Sequence, residues 1–309
     1  MEETVAAYRD RWLAADRAPA RWGLRIAPIA VVLIIASTFT YAAVVSNLRV
    51  EYLAWDTRAY YDALRSSDPY AGAAVGDIGS FLYPPPFLQV LAPFGQLPWP
   101  AFLFAWTTLL TSAAVYMLWR VPRRYRTMWP LLAFLAGADI WAGNMNLFLA
   151  LGAVVALTYP VAWAGLALTK VTPGIGALWH GFNGRWPEFG LAVVVTAAGA
   201  ALSFIAAPAL WGDWLAIVFG EDPGGPYATS VPVPIFIRLP LAVVLLWWAA
   251  RNDRPWLVPA ACLLALPVIW FNGLSMLLGS AALLRDGPDS VRHAHGDPGD
   301  WTAPQEVTP

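Results

Sequence analysis

Asp56 is the residue whose neighbours most suggest a reactive centre. It lies near the start of AWDTRAYYDALRSSDPYAGAAVGDIGSFLYPPPF, residues 54–87, where a carboxylate close to a long apolar run is followed by aromatics, an arginine and a stiff proline run. A carboxylate with its ordinary pKa of about 4 is too weak to deprotonate a resting hydroxyl, yet it accepts the proton as that oxygen forms a new bond. Tyr60 and Tyr61 supply flat faces of the kind that stack on sugars or sit at lipid headgroups, and Arg58 can pair with phosphate. Tyr83 leads through Pro84 and Pro85 into the next apolar segment. Blander readings stand beside these: a solvated loop aspartate, and an arginine neutralised by a neighbouring acid.

Ionisable and amide side chains inside apolar runs are costly, which makes them functional candidates. Asp139, Asn144, Asn146, Lys170 and Asn272 qualify. Asn144 and Asn146 follow a break at Gly143, where amides can meet a sugar or phosphate or can cap a helix. Lys170 is the only lysine in the chain. It can attract a phosphate or snorkel to the nearer membrane surface, and the cytoplasmic loop expected after it favours snorkelling. Asp139 is expected at the interface, solvated. Trp270 and Asn272 stand together in the last apolar run and are taken as substrate contacts. No external loop offers a tight carboxylate cluster with ligand spacing, so no metal site is expected.

The elements that must position these residues are apolar. Hydrophobic residues make up 59% of the sequence and charged ones 13%, against about 25% charged in a soluble domain. Residues 26–46 carry no charge after Arg25 and are long enough to span a bilayer. Residues 1–25 place Val5, Tyr8, Trp12 and Leu13 at near-helical spacing among charges, as an interfacial amphipathic helix does, and are too long and polar for a signal peptide. Five arginines before the first span put the N-terminus in the cytoplasm. Residues 47–83 are then external, and Arg120, Arg123, Arg124 and Arg126 return inside.

This alternation requires one span between them, read as 101–119, with 86–97 as a half-helix dipping from the outer face. Three apolar blocks follow between Met128 and His180, one of which does not cross. Residues 187–207 run outward to a second external loop, 208–232, and 233–250 return to Arg251 and Arg254. Residues 255–284 are too short for two spans and long for one, with a break at Asn272-Gly273. The composition of 285–309 predicts a disordered tail. The predicted fold is all-α: a polytopic transmembrane bundle, residues 26–284, of eight to ten apolar segments including half-helices.

The order of these features resembles a known family. A first span, external Asp56, Tyr60-Tyr61, Asp68-Pro69-Tyr70 and Tyr83-Pro84-Pro85 are followed by Gly143-Asn144-Met145-Asn146, similar to a Gly-Gln-x-Asn motif, and by Lys170 with Pro173. Together they resemble the bacterial polyprenol-phosphate-sugar-dependent transferases of glycosyltransferase family 87, within the GT-C superfamily, over residues 26–271. The resemblance implies a multi-pass plasma-membrane hexosyl- or pentosyltransferase with its active site on the external face. It would move mannose or arabinose, with inversion, from a polyprenyl-phosphate donor to a glycolipid or cell-envelope glycan. Asp56 would be the base, and no cofactor beyond the donor lipid is implied. A lipid phosphate leaves without protonation, so one carboxylate suffices where glycosidases need two.

One motif departs from the family. Where members often carry Trp, Asp and His after a Ser-Pro pair, this chain reads Leu266-Pro267-Val268-Ile269-Trp270-Phe271-Asn272, so Asn272 offers hydrogen bonds alone. His180 falls in an expected cytoplasmic loop and His293 and His295 in the tail. A lipid-carrier flippase and a non-catalytic accessory homologue remain alternatives, although the sequence lacks the inverted repeat many transporters carry. A net charge of −1 with dispersed arginines argues against nucleic acid. The single Cys262 can form no internal disulfide.

Overall fold

Proline punctuates this chain, and it does so where a helix tolerates it. The computed structural model describes residues 34, 54–74, 79–220, 231 and 233–285. The expected amphipathic segment, most of the first span and nearly all of the tail lie outside the described residues. Among the described residues every regular element is helical. Helices α1 (Trp55–Ala63), α2 (Pro85–Leu91) and α3 (Trp99–Arg120) are followed by α4 (Trp129–Ala142). Proline occupies the first turn of α2, α3 and α4, where its missing N–H would have had no partner. For that reason α3 starts two residues before the expected 101–119, absorbing Pro100. The expected half-helix 86–97 is α2 plus a 3-10 turn, Ala92–Gln96.

The three blocks after Met128 are α4, α5 (Asn146–Ala156) and α6 (Ala162–Thr169), continued by a 3-10 turn, Thr172–Ala177, and α7 (Leu178–Phe182). At 1.5 Å per residue α5 is about 16 Å long and α6 about 12 Å, so neither reaches across a hydrocarbon core. They pack as a hairpin. Asn146 opens it and Lys170 closes it, joined at 3.0 Å. At the hairpin's far end His180 Nε2 lies 3.1 Å from the Ala156 carbonyl. His180 is therefore fully buried on α7, not in the cytoplasmic loop expected for it. The chain from Thr172 to Phe182 runs back along the hairpin to reach Arg185.

Helix α8 (Trp186–Ala206) leads into α9 (Pro208–Val218), so the expected external loop 208–232 begins as a helix. Then come α10 (Ile235–Arg251), α11 (Leu257–Leu264), a 3-10 turn at Phe271–Met276 and α12 (Leu277–Ala282). The break in the last run starts at Ala265, well ahead of the expected Asn272-Gly273. Arg238, buried on α10, secures it by donating to the carbonyls of Leu264 (2.9 Å), Leu266 (2.6 Å) and Pro267 (2.8 Å). Leu264 ends α11 and the other two carbonyls lie in the turn beyond it, a cluster of acceptors that a guanidinium suits.

Only α3 and α8 among the described residues are long and apolar enough to cross a membrane. The other apolar blocks are present as shorter helices. α8 buries little beyond Ala192 and Ser203 and leaves Val194, Leu202 and Ile205 exposed.

Candidate functional site

The site forms where α4 stops. Gly143 ends that helix at φ 70°, and a Cβ there would sit 1.8 Å from Thr57 Oγ1. No side chain fits, so glycine permits both the left-handed turn and the approach of α1. Its carbonyl accepts from Thr57 Oγ1 (3.1 Å) and from Trp106 Nε1 (2.8 Å). The Ala54 N–H donates to the Trp141 carbonyl at 2.8 Å. These bonds fix α1 across the α4–α5 break and set Asp56 on Asn144.

Asn144 Nδ2 donates to Asp56 Oδ2 at 2.7 Å. Its Oδ1 accepts from the Met145 N–H (2.7 Å), from Lys170 Nζ (3.2 Å) and, at 3.5 Å, from the Tyr83 hydroxyl. Lys170 Nζ also donates to Asn146 Oδ1 at 3.0 Å, and Asn146 Nδ2 donates to Asp139 Oδ1 at 2.9 Å. Asp139 accepts in addition from the Leu147 N–H (3.0 Å) and from Asn272 Nδ2 (3.3 Å). The result is one line of groups: Asp56, Asn144, Lys170, Asn146, Asp139, Asn272. Lysine can only donate and an ionised carboxylate can only accept, so each asparagine turns its oxygen to Lys170 and its nitrogen to an aspartate. Lys170 Nζ also stands 5.4 Å from the centre of the Tyr83 ring.

Two expectations are corrected here. Lys170 does not extend away to a surface; it ends a hairpin that returns toward Asp56, with its ammonium held by Asn144 and Asn146. Asp139 is not a solvated interfacial group but is wholly buried. Among the functional candidates it is the one expected to be merely solvated, although it is the only charged residue between Trp129 and Tyr159. Its position seven residues before Asn146 was the available signal.

Asp56 does not keep the ordinary carboxylate pKa either. Desolvation pushes it up to about 6, against the Asn144 hydrogen bond and the Lys170 charge, which lower it. A stronger base results, still ionised at neutral pH.

Other candidates stand apart from this line. Arg58 is exposed, pairs with Asp62 at 2.8 Å and lies over the Trp99 ring. Tyr60 is fully buried, edge-on to Tyr83, Phe87 and Trp106, and its hydroxyl lies 2.8 Å from that of Tyr83. Tyr61 packs on Trp99 and Phe102. These tyrosines hold α1 in place and have no open face for a sugar. Trp270 precedes the 3-10 turn that carries Asn272, half-buried, without a place in the line. No group of three or more potential metal ligands occurs among the described residues.

No curated protein and no solved structure matches the chain. The family model of glycosyltransferase family 87 matches residues 81–284. That span contains Tyr83, Asn144, Asn146, Lys170 and Asn272, whereas Asp56 lies outside it, 25 residues before its start (81 − 56). It covers most of the sequence, and on that match the chain belongs to glycosyltransferase family 87.

Proposed function

We propose that this protein is a membrane-embedded inverting glycosyltransferase that takes mannose or arabinose from a polyprenyl phosphate and adds it to a glycolipid or cell-envelope glycan. One observation carries the reading: the Asp56 carboxylate and the Lys170 ammonium converge on a single amide, Asn144, from residues 114 positions apart (170 − 56). A base and a cation held a few ångströms apart suit a reaction that removes a proton and leaves a phosphate.

In the step, the acceptor hydroxyl oxygen attacks the anomeric carbon as the bond to the phosphate oxygen breaks. The bonding pair stays on the phosphate, whose charge becomes more negative, and the hydroxyl proton passes to Asp56. Attack opposite the leaving group inverts the centre. Lys170 has three N–H donors, two of them directed at Asn144 and Asn146, and the third serves a phosphate oxygen. Asn144 holds Asp56 in register with that phosphate. Charge developing on the leaving group is met by a fixed cation, which needs no reorganisation as the reaction proceeds.

α3 and α8 cross the membrane in this reading, with the arginines after α3 in the cytoplasm and the α4–α5 break toward the outer face. The α5–α6 hairpin dips into the protein beneath the site and returns. Non-helical backbone and buried polar groups at such depth occur where they line a cavity. Residues 26–284 form the membrane domain and 285–309 a tail.

The test is transfer by purified protein from a radiolabelled polyprenyl-phosphate sugar to a glycolipid acceptor. Asp56→Asn keeps the shape and the contact with Asn144 through its own oxygen but cannot take the proton. It is expected to lower turnover by about 10²- to 10⁴-fold. Turnover within threefold of the unsubstituted protein would rule Asp56 out as base.

A further inference from the structure

The groups that this chemistry leaves unused lie on the closed side of Lys170. Asp139 is buried completely, so it touches no substrate, and its three donors are all internal. One of them, the Leu147 N–H, belongs to the first turn of α5, which a neighbouring carboxylate caps. Capping accounts for the bond to Leu147 but not for the one to Asn146.

The two asparagines beside Lys170 are held differently. Asn144 has its amide orientation set twice over: its oxygen accepts from the Met145 N–H and from Lys170, and its nitrogen meets Asp56. Asn146 has Asp139 alone to fix its nitrogen. With that acceptor gone, the Asn146 amide is free to turn over and present its NH2 to an ammonium that can only donate. Lys170 then loses one of its two oxygen partners and its fixed position.

We infer that Asp139 is a positioning residue, acting through Asn146 to hold the Lys170 ammonium where it meets the phosphate of the lipid carrier. This rests on the reading of Lys170 as the phosphate-binding cation. Asn272 belongs to the same device: its nitrogen donates to the Asp139 oxygen that Asn146 also uses, steadying that carboxylate rather than contacting substrate.

Asn146→Ala separates positioning from capping, because it cuts the relay and leaves the Asp139 bond to Leu147 in place. The experiment measures binding of polyprenyl phosphate to the full-length protein in detergent, with uncharged polyprenol of the same length as control. Asn146→Ala is expected to weaken polyprenyl phosphate about tenfold, the scale of one hydrogen bond to a charged group, with polyprenol binding unchanged. Both Asn146→Ala and Asp139→Asn should lose some thermal stability, because each removes a buried hydrogen-bond partner, so the loss on phosphate relative to polyprenol is what marks positioning. Equal binding of the carrier phosphate by Asn146→Ala and the unsubstituted protein overturns the inference. So does an equal loss on phosphate and polyprenol, or an unsubstituted protein that does not distinguish the two lipids.

Asp56→Asn keeps the two questions apart. It is expected to bind polyprenyl phosphate normally while failing to turn over. Normal turnover by that variant removes the base and leaves the binding result for Asp139 standing.

Discussion

Asp56 and Asp139 each lie one asparagine away from Lys170, yet their surroundings differ in kind. Asp56 opens a short helix whose Tyr60 and Tyr61 enter the core, is itself partly exposed, and accepts side-chain bonds from Asn144 at the α4–α5 break and from Trp55. Asp139 is sealed inside α4 and accepts two side-chain bonds and a backbone N–H. The same carboxylate is thus left reactive on one side and saturated on the other. What decides the role is whether the residue keeps an exposed edge beside its internal donors. A carboxylate with spare acceptor capacity at the surface can take a proton from a ligand, whereas one fully bonded in the interior can only hold its neighbours.

Exchanging acid for amide at each position gives the largest separation. Asp56→Asn should remove transfer by about two to four orders of magnitude, and Asp139→Asn should destabilise by about 1–3 kcal/mol, because a buried donor loses its partner. Thermal unfolding in detergent read beside turnover checks both. A large stability loss from Asp56→Asn with little from Asp139→Asn would reverse the comparison. Gly143→Ala tests what keeps the two sides in register: it meets Thr57 and an unfavourable φ, and should cost about 3 kcal/mol or more. Adding Thr57→Ala removes the closest clashing atom and should recover part of that loss.

The pH dependence sharpens the open side. Transfer needs Asp56 ionised, so kcat/KM should fall as pH drops through about 6. Replacing Lys170 with Met removes a charge that lowers this pKa, and the acid limb should move to higher pH. Stability follows the opposite course. The folded-state pKa exceeds the unfolded value of 3.8, so protonation favours the folded state and ionisation above it opposes folding. The unfolding temperature of Asp56→Asn, relative to the unsubstituted protein, should therefore rise as pH goes from about 4 to 7. An acid limb that stays fixed when Lys170 is replaced would separate Lys170 from Asp56.

Some of this was legible in the sequence and some was not, for identifiable reasons. The spans 101–119 and 187–207 were found to within two residues because arginines and prolines bound uniform apolar runs. The break at Gly143 was found because glycine interrupts helices locally. Asp56 stood out through its neighbours, but its bond to Asn144 joins residues 88 apart, which no local pattern predicts. Lys170 was assigned to snorkelling because the loop expected after it is cytoplasmic, whereas α6 is eight residues long and brings Lys170 back to Asn144. Asp139 was undervalued because burial comes from tertiary packing of 3-10 turns and helices that are far apart in the chain. Tyr60 and Tyr61 were overvalued for the converse reason, since aromatics that can stack on sugars also stack on one another.

Arg58 supplies the smallest and most discriminating effect. Its charge and its place two residues after Asp56 made it a phosphate candidate, yet it is exposed, bonded to Asp62 one helical turn on and stacked over Trp99. An exposed pair at that spacing contributes about 0.3–0.5 kcal/mol. Arg58→Gln should therefore change unfolding little and leave transfer and carrier affinity within about threefold, equivalent to roughly 0.7 kcal/mol. Lys170→Gln, measured beside it, should weaken polyprenyl phosphate at least tenfold, the loss of a charged hydrogen bond. Two cations near one carboxylate then separate by partner rather than by distance along the chain: Arg58 is paired directly with Asp62, and Lys170 is hydrogen-bonded to the amides of Asn144 and Asn146, with Asp56 and Asp139 one residue further away. A loss of carrier affinity in Arg58→Gln as large as in Lys170→Gln would show that Arg58 leaves Asp62 when substrate arrives, and would move the phosphate toward α1.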